Sequence, residues 1–256
     1  MFQLDIATLQ NWLHLLLWPL MRISAFCMVA PIFSAAFVPP RVRLIFSILL
    51  TLIIAPTLQN LPHPDMLSLE SVLMVAQQLL IGIGLALFLQ MLMQAFVVSG
   101  QFIATQMGLG FSSLNDPMNG VSVTTVSQLY LMMATLLFLS LNGHLVMIDV
   151  LIESFRTLPV GMEIGDNRLQ TLFGWGSWMF AAALMMALPA VTALLIINCS
   201  LGVVTRAAPQ LNIFAIGFPL MLLLGFLILW TSLGNVLPNF ERYNGEVLDI
   251  MRQWVS

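Results

Sequence analysis

Three histidines could serve as bases or metal ligands, but each stands alone in the sequence. No second ligand or base lies at a useful spacing from any of them, namely His14, His63 and His144. Catalysis and metal binding both require titratable groups that converge on one point. The histidines therefore predict no catalytic site, no metal and no cofactor.

Asp149, Glu153 and Arg156 share one face of a predicted helix, at positions i, i+4 and i+7. Ionisable groups on one face could form a proton or ion relay. The helix is predicted to end just before Leu158-Pro159, so Glu153 and Arg156 could instead form a local ion pair. The ion pair is the simpler interpretation, and nothing in this cluster predicts an enzyme.

The composition excludes a soluble protein. Of the 256 residues, 60% are hydrophobic and 7% are charged, and the mean hydropathy is +0.99. In a soluble domain about a quarter of the residues are charged, because a surface in water needs them. A net charge of -3 also offers no basic surface for nucleic acid. The chain is therefore predicted to be an integral membrane protein.

Stretches without Asp, Glu, Lys or Arg predict the membrane helices. A span needs about 20 apolar residues, and a lone strand in lipid would leave its backbone groups unpaired. The predicted fold is an all-α polytopic membrane protein of about six long, kinked helices arranged as hairpins. The helices are placed near residues 12–38, 42–58, 69–105, 123–153, 171–205 and 211–237.

Several of these helices are too long for a simple span. A continuous helix over 69–105 would measure roughly 55 Å, against a hydrocarbon core of about 30 Å. We expect breaks at Gly82-Ile83-Gly84, Pro189 and Pro219, where glycine or proline weakens a helix. The arginines do not orient the chain, because either topology places three on one side and four on the other. Both features favour helices held by partner subunits.

Arg22 lies in the middle of the first predicted helix. A lone arginine at that depth costs about 2.5–3.5 kcal/mol on insertion scales, so its side chain must face protein or water. A functional contact and a structural pairing are equally compatible with the sequence.

A polar stripe follows the third predicted helix. Its members lie within about 60° of one another at 100° per residue. The stripe predicts either the wall of a watery passage or a hydrogen-bonded helix interface, and isolated amides reaching for the membrane surface are a third possibility. The residues are Gln90, Gln94, Gln101 and Thr105.

The segment 106–122 predicts a long loop between two apolar helices, because it contains several glycines and the turn-forming run Asn115-Asp116-Pro117. The loop is itself apolar and methionine-containing, so it is not expected to lie in water. We interpret it as a segment that could plug a channel, and packing on a neighbouring subunit is the alternative. The candidate residues are Met107, Gly108, Leu109, Gly110, Phe111, Leu114, Asn115, Asp116, Pro117, Met118 and Gly120.

Four colinear stretches are similar to one protein family. They are MRISAFCMVAPIFSAAFVPPRVR at 21–43, the loop from Gly108 to Pro117, LNGHL at 141–145 and TRAAPQLNIFAIGFPL at 205–220. Nearly the whole chain resembles the FliR family of flagellar biosynthesis proteins, which is related to the T subunit of injectisomes. The most specific element is the turn that contains Arg206, Pro209 and Gln210, and Pro209 predicts that it is tight and joins the last two helices.

The resemblance implies a FliP-like part over 1–165 and a FliQ-like hairpin with a C-terminal tail over 166–256. It implies a hetero-oligomeric export gate with FliP and FliQ, beside FlhB and FlhA, in the lipid of the bacterial inner membrane at the flagellar basal body. Unfolded flagellar proteins would pass through this gate, powered by other components. It also implies that the loop from Gly108 to Gly120 is the plug.

A secondary transporter or ion-coupled permease is the main alternative. It would require charged residues at a midplane cavity and inverted repeats, and the sequence offers only Arg22 and Asp149. An intramembrane enzyme would need a paired catalytic motif, and none is visible.

Overall fold

The computed structural model is helical, and it describes residues 6–35, 37–58, 62, 68–110, 124–162, 165–207 and 213–256, with side chains from residue 15 and, in the seventh helix, from residue 217. A 3-10 turn at Ala55–Thr57 follows the second helix. The all-α prediction is confirmed. The helices are α1 Ile6–Val29, α2 Pro40–Ile54, α3 Leu69–Gln106, α4 Thr125–Ser140, α5 Gly143–Thr157, α6 Asp166–Ala207, α7 Ile213–Leu233 and α8 Val236–Val255.

Three stretches of helix are long and apolar enough to cross a membrane: Pro40–Thr57, Leu69–Gln106 and Asp166–Ala207. Two pairs of helices, α4 with α5 and α7 with α8, are each separated by a short break, and each pair taken together is also long and apolar enough to cross a membrane. If each pair is one span, the described residues contain up to five spans. With 38 and 42 residues, α3 and α6 measure about 57 and 63 Å. Both are roughly twice as long as the hydrocarbon core is thick, which confirms the prediction of overlong helices.

The residues at which we expected the helices to break do not interrupt them. Gly82-Ile83-Gly84, Pro189 and Pro219 all lie inside continuous helices. The break falls instead within the predicted helix 123–153, at Asn142, whose φ of 56° is left-handed. Asparagine tolerates this conformation better than most residues with a side chain. One predicted helix therefore becomes two, α4 and α5.

The first helix is also shorter than predicted, because it ends at Val29 rather than near residue 38. Pro31 lacks a backbone N–H and disfavours helical geometry in the residue before it. Ile32 then adopts a φ of 73°, which turns the chain out of the helix. Arg43 of α2 stabilises this connection, because its Nη2 donates to the Ala35 carbonyl at 2.8 Å.

The C-terminal segment, predicted to be a tail, is the helix α8. The turn that follows Arg206 therefore joins α6 to α7 and not the last two helices. One face of α8 is apolar at helical spacing and is buried, whereas its charged residues lie on the other face. The buried residues are Val236, Phe240, Tyr243, Val247, Met251 and Trp254.

The helices pack into two compact units. The first contains residues 1–91, 142–175 and 246–256, and the second contains residues 92–141 and 176–245. Aromatic rings fill the core of the second unit, where Phe96 packs against Phe240 with centroids 5.5 Å apart and Trp178 meets Tyr243 edge-on at 5.7 Å. The division at residue 165 comes from the resemblance, and it stays a prediction.

In the first unit, Trp254 attaches the end of α8 to the beginning of α6. Its Nε1 donates to the Arg168 carbonyl at 2.8 Å, and the Arg168 Nε donates back to the Trp254 carbonyl at 3.0 Å. The indole also meets Phe88 of α3 edge-on, with centroids 5.9 Å apart, and is 3% exposed. Trp254 therefore holds three helices together near the C-terminus.

Replacing Trp254 by alanine should destabilise the protein by about 3–5 kcal/mol, because it removes a buried aromatic side chain and leaves a cavity. The thermal unfolding midpoint of the purified protein in detergent measures the loss. Gln253→Ala is the matched control, since Gln253 is the exposed neighbour on the same helix. If both variants unfold at the same temperature, Trp254 does not have this role.

Candidate functional site

Arg22 is fully buried in the first unit, where its guanidinium joins α1 to α3 and α5. Its Nε donates to the Gln78 Oε1 at 2.8 Å. Its Nη1 donates to the Ser154 carbonyl at 2.8 Å and to the Ser154 Oγ at 3.1 Å, and its Nη2 donates to the Leu158 carbonyl at 2.8 Å. The Phe155 ring stacks on the guanidinium, with its centroid 4.3 Å from the central carbon.

The end of α5 takes the place of an acidic partner for Arg22. Within the described residues, no carboxylate pairs with this guanidinium. Ser154 lies in the last turn of α5 and Leu158 is its C-cap residue. The C-terminal end of a helix carries a partial negative charge that stabilises a cation. These hydrogen bonds favour structural pairing, one of the two alternatives that the sequence left open.

Gly82 allows α1 and α3 to come close together beside Arg22. A Cβ at this position would collide with the Arg22 carbonyl oxygen and would lie 3.0 Å from the Ala25 Cβ. Any side chain at residue 82 would therefore push the two helices apart. The residue that was expected to break α3 instead brings Gln78, one turn earlier, within reach of Arg22.

In the second unit, Gly110 and Thr124, the residues that flank 111–123, both lie against the last part of α3, near Thr105 and Gln101. At the α4 end, the Thr124 N–H and the Ser127 hydroxyl donate to the Gln101 Oε1, at 3.4 and 3.2 Å. Thr124 also caps α4, because its hydroxyl oxygen accepts from the Ser127 N–H at 3.4 Å. At the α3 end, a Cβ on Gly110 would lie 3.7 Å from the Thr105 Cα.

The first residues of the candidate plug are packed into the second unit. Met107 is fully buried, and a Cβ at Gly225 of α7 would come within 2.7 Å of its side chain. Gly108 has a φ of 81°, which residues with a side chain rarely adopt, and its Cβ position lies 3.2 Å from the Phe218 ring of α7. The base of the segment is therefore attached to α7. Leu109 is half-buried, and the remaining candidates lie outside the described residues: Phe111, Leu114, Asn115, Asp116, Pro117, Met118 and Gly120.

The polar stripe of α3 has different surroundings along its length. Gln101 bonds to the beginning of α4, and the Thr105 Oγ1 donates back to the Gln101 carbonyl at 2.8 Å. Gln90 and Gln94 are half-buried and form no hydrogen bond with a described side chain. Gln101 thus belongs to a hydrogen-bonded helix interface. A watery passage beside Gln90 and Gln94 stays a prediction.

Arg206 is exposed at the end of α6, one residue before the helix ends at Ala207. A helix that ends there agrees with the restriction that Pro209 places on the residue before it. Pro209 and Gln210 themselves lie outside the described residues, so the tight turn stays a prediction.

The ionisable residues do not converge on a catalytic or metal site. No group of three His, Cys, Asp or Glu residues that could hold a metal ion occurs in the described part of the chain. Asp149, Glu153 and Arg156 are exposed on α5, and the expected ion pair between Glu153 and Arg156 does not form. His144 is half-buried near the beginning of α5, and the side chains of the other two histidines are outside the described set.

Known proteins match this chain over nearly its whole length. The family described as bacterial export proteins, family 1, matches residues 13–247. The flagellar biosynthetic protein FliR of Escherichia coli (strain K12) is 38% identical over 96% of this chain and 94% of its own length. FliR of Bacillus subtilis (strain 168) is 31% identical over 92% of both chains. The chain belongs to the FliR family of export proteins.

Membership in the FliR family confirms the resemblance found in the sequence and gives the chain a role in flagellar protein export. The apolar helices, which are long enough to cross a bilayer, place it in a membrane. FliR of Aquifex aeolicus (strain VF5) also matches nearly the whole chain: it is 30% identical over 90% of this chain and 89% of its own length.

Several residues at these sites were not among the predicted ones. Thr124 and Ser127 could have been found, because Thr or Ser just before an apolar run is typical of a helix N-cap. The partners of Arg22 could not. Ser154 is separated from Arg22 by 132 residues, and no spacing in the sequence connects them.

Replacing Arg22 by alanine should destabilise the protein by about 3–5 kcal/mol, because it leaves the Gln78 side chain and the carbonyls at the end of α5 without their donor. That loss corresponds to a fall of roughly 10 °C in the unfolding midpoint. Arg22→Lys should restore little of the stability, because an ammonium cannot reproduce the planar fork of donors. Arg156→Ala, an exposed arginine on α5, is the control. A midpoint for Arg22→Ala equal to that control would contradict the assignment.

Proposed function

We propose that this FliR-family chain is a core subunit of the flagellar type III protein export gate. With FliP and FliQ it would form the channel through which unfolded flagellar proteins cross the bacterial inner membrane at the basal body, beside FlhB and FlhA. Residues 1–165 would be the FliP-like part and 166–256 the FliQ-like hairpin. The chain itself catalyses no reaction and holds no cofactor, and ATP hydrolysis and the proton motive force act through other components.

The apolar surface of α6 is the observation that carries this proposal. Phe173, Ile196 and Val203 are 76%, 67% and 69% exposed. Thirty residues separate the first from the last, which is roughly 45 Å along the helix. Even at a tilt of about 40°, the upper end of the usual range, the stretch of α6 that exposes these apolar side chains would extend about 34 Å across a hydrocarbon core of about 30 Å. Lipid cannot cover all of it, so partner subunits are needed.

The charges of the described residues favour a gate over a secondary transporter. A transporter of ions or small solutes uses ionisable side chains at a cavity near the membrane midplane. Arg22 is buried and fully engaged by α3 and α5, and Asp149 is exposed on α5. Arg22 is therefore not free to bind a substrate, and Asp149 lies on the surface of the described chain and not in a buried cavity.

Expressed alone, the chain should aggregate or be degraded, because its exposed apolar faces would have no partner. Co-expressed with the FliP and FliQ proteins of the same bacterium, it should elute as a monodisperse complex that contains all three. Size-exclusion chromatography with mass determination of the peak measures this. A stable, solute-transporting monomer would disprove the gate proposal and support the transporter.

We also propose that the loop from Gly108 to Gly120 closes the channel against small solutes. A pore that passes an unfolded polypeptide would dissipate the membrane potential unless it were blocked, and an apolar constriction can exclude water and ions. Met107 and Gly108 serve as the fixed base of this loop, because they pack against α7. Leu109, Phe111, Leu114 and Met118 supply apolar side chains, and Asp116 is the single charge.

Deleting Gly110 to Gly120 from an assembled gate should raise ion conductance while the complex stays intact. Assembly should survive, because Gln101 keeps its bonds to Thr124 and Ser127 on the α4 side of the deletion. Conductance is measured in liposomes that contain the purified complex. A variant with a glycine-serine linker of equal length separates the effect of the side chains from that of the length.

The two loop variants should leak alike if apolar side chains form the barrier. An intact complex whose conductance stays at the wild-type level after the deletion would show that this loop is not the plug.

A second element is proposed to act in assembly: the turn of Arg206, Pro209 and Gln210, by which α6 and α7 would form the FliQ-like hairpin.

A further inference from the structure

A cavity of about 300 Å³ lies in the second unit, between the end of α3, α6 and α7. Met107 and Met221, both buried, line its inner part, whereas Leu201, Gly202 and Phe218 line its outer part. Gly202 is exposed and Phe218 is 47% exposed, so the cavity opens at the surface of α6 and α7. Arg22 takes no part in it, whereas Met107 and Gly108, the base of the proposed plug, belong to its lining.

The lining of the cavity selects an uncharged hydrocarbon ligand. Among the described residues, no charged side chain lines it, and most of the wall that they form is carbon and methionine sulfur. The Asn198 amide at its edge is occupied, because Nδ2 donates to the Gln106 carbonyl at 3.4 Å. A cavity of about 150 Å³ lined by apolar residues can hold a benzene molecule, so this one has room for roughly twice that amount of hydrocarbon.

A single cation lies one helical turn from this cavity. Arg206 follows Gly202 by four residues on α6, so the two residues share a face, about 6 Å apart along the axis. Arg206 is exposed and forms no hydrogen bond or ion pair with the described residues. In the sequence it is the only charged residue between Arg168 and Glu241. Arg206 is therefore the one charged side chain that this end of α6 and α7 offers to an anion.

We propose that this cavity binds an acyl chain of an anionic membrane phospholipid, whose phosphate pairs with Arg206. An arginine at the end of an apolar membrane helix places its guanidinium in the headgroup layer. The cavity, one to two turns further along α6, then lies about 6–12 Å deeper, within the half-thickness of about 15 Å of the hydrocarbon layer. The charge and the apolar cavity thus have the spacing of a headgroup and its chain.

The surroundings of the opening favour lipid over a polypeptide. Phe218 at the rim and Val203, the residue after Gly202, are 47% and 69% exposed, so apolar side chains flank the opening. A polypeptide segment would also bring backbone N–H and C=O groups, each of which needs a hydrogen-bond partner away from water. The described lining offers few, since only Gln106 and Asn198 carry polar side chains there and one N–H of the Asn198 amide already donates to the Gln106 carbonyl. An acyl chain makes no such demand.

The first test counts bound lipids by native mass spectrometry. The full chain, alone or with its partners, is delipidated in mild detergent and titrated with palmitoyl-oleoyl phosphatidylglycerol or with the matching phosphatidylethanolamine. Gly202→Leu should lose one bound phosphatidylglycerol, because a side chain at this open position fills the cavity. Gly176→Leu is the matched control, since its Cβ also meets nothing within 4 Å and it lies on the same helix away from the cavity.

Arg206→Gln tests the headgroup contact separately. It should weaken binding of phosphatidylglycerol by roughly fivefold, the usual effect of one arginine near an anionic lipid, and leave phosphatidylethanolamine nearly unchanged. Arg252→Gln, an exposed arginine on α8, is the control for charge. Equal lipid counts for the wild type and Gly202→Leu, or equal phosphatidylglycerol affinity for Arg206→Gln and Arg252→Gln, would overturn the proposal.

A second measurement does not depend on a cavity-filling variant that folds. The photoreactive amino acid p-benzoylphenylalanine replaces Phe218 in living cells, and the irradiated protein is digested and its adducts are weighed. A phospholipid adduct supports the proposal. An adduct to a partner subunit or to an exported protein overturns it and assigns the cavity to that occupant. If the gate proposal fails, the chain is stable as a monomer and the lipid count is made on that monomer, so a failure of the gate proposal and a failure of this one are distinguishable.

Discussion

One buried positive charge determines how the first unit is put together. Arg22 is 0% exposed, so every donor on its guanidinium must find an acceptor within the protein. The acceptors lie on α3 and at the end of α5, 56 and 132 residues away. The contact with α3 also requires close approach of the two helices, which Gly82 permits because it has no side chain. The hydrogen bonds of Arg22 therefore define the register in which α1, α3 and α5 pack, since sliding any one of these helices would leave a polar group unpaired.

The second unit holds the two ends of a long apolar connection between α3 and α4. Gln101 bonds to Thr124 and Ser127 at one end, and Met107 and Gly108 pack against α7 at the other. An apolar loop with a packed base is what the proposed plug requires, because the base keeps the loop at one place in the channel.

The sequence was sufficient for the fold class but not for the breaks in the helices. Charge-free stretches predicted the long apolar helices, because the bilayer imposes that pattern directly. Gly82 and Pro189 were expected to interrupt them, yet a glycine packed against another helix and a proline inside a long apolar helix are both accommodated. The break at Asn142 depends on a single left-handed residue. α8 was missed because its charged residues hid a helical period that Phe240, Tyr243 and Val247 display.

The residues of the candidate site also differ in how much of their role could be predicted from the sequence. The need of Arg22 for a partner followed from its surroundings in the sequence, but its partners did not, because they come together only when α1, α3 and α5 pack. For Arg206, the structure shows whether it has a partner, and the sequence shows how far it lies from other charges. Its exposure and lack of a partner emerge from the structure, whereas its isolation among 72 residues without another charge is visible in the sequence alone. A charge that has no partner among the described residues is available to one outside the chain, and the apolar cavity one turn away is the reason for proposing a phospholipid.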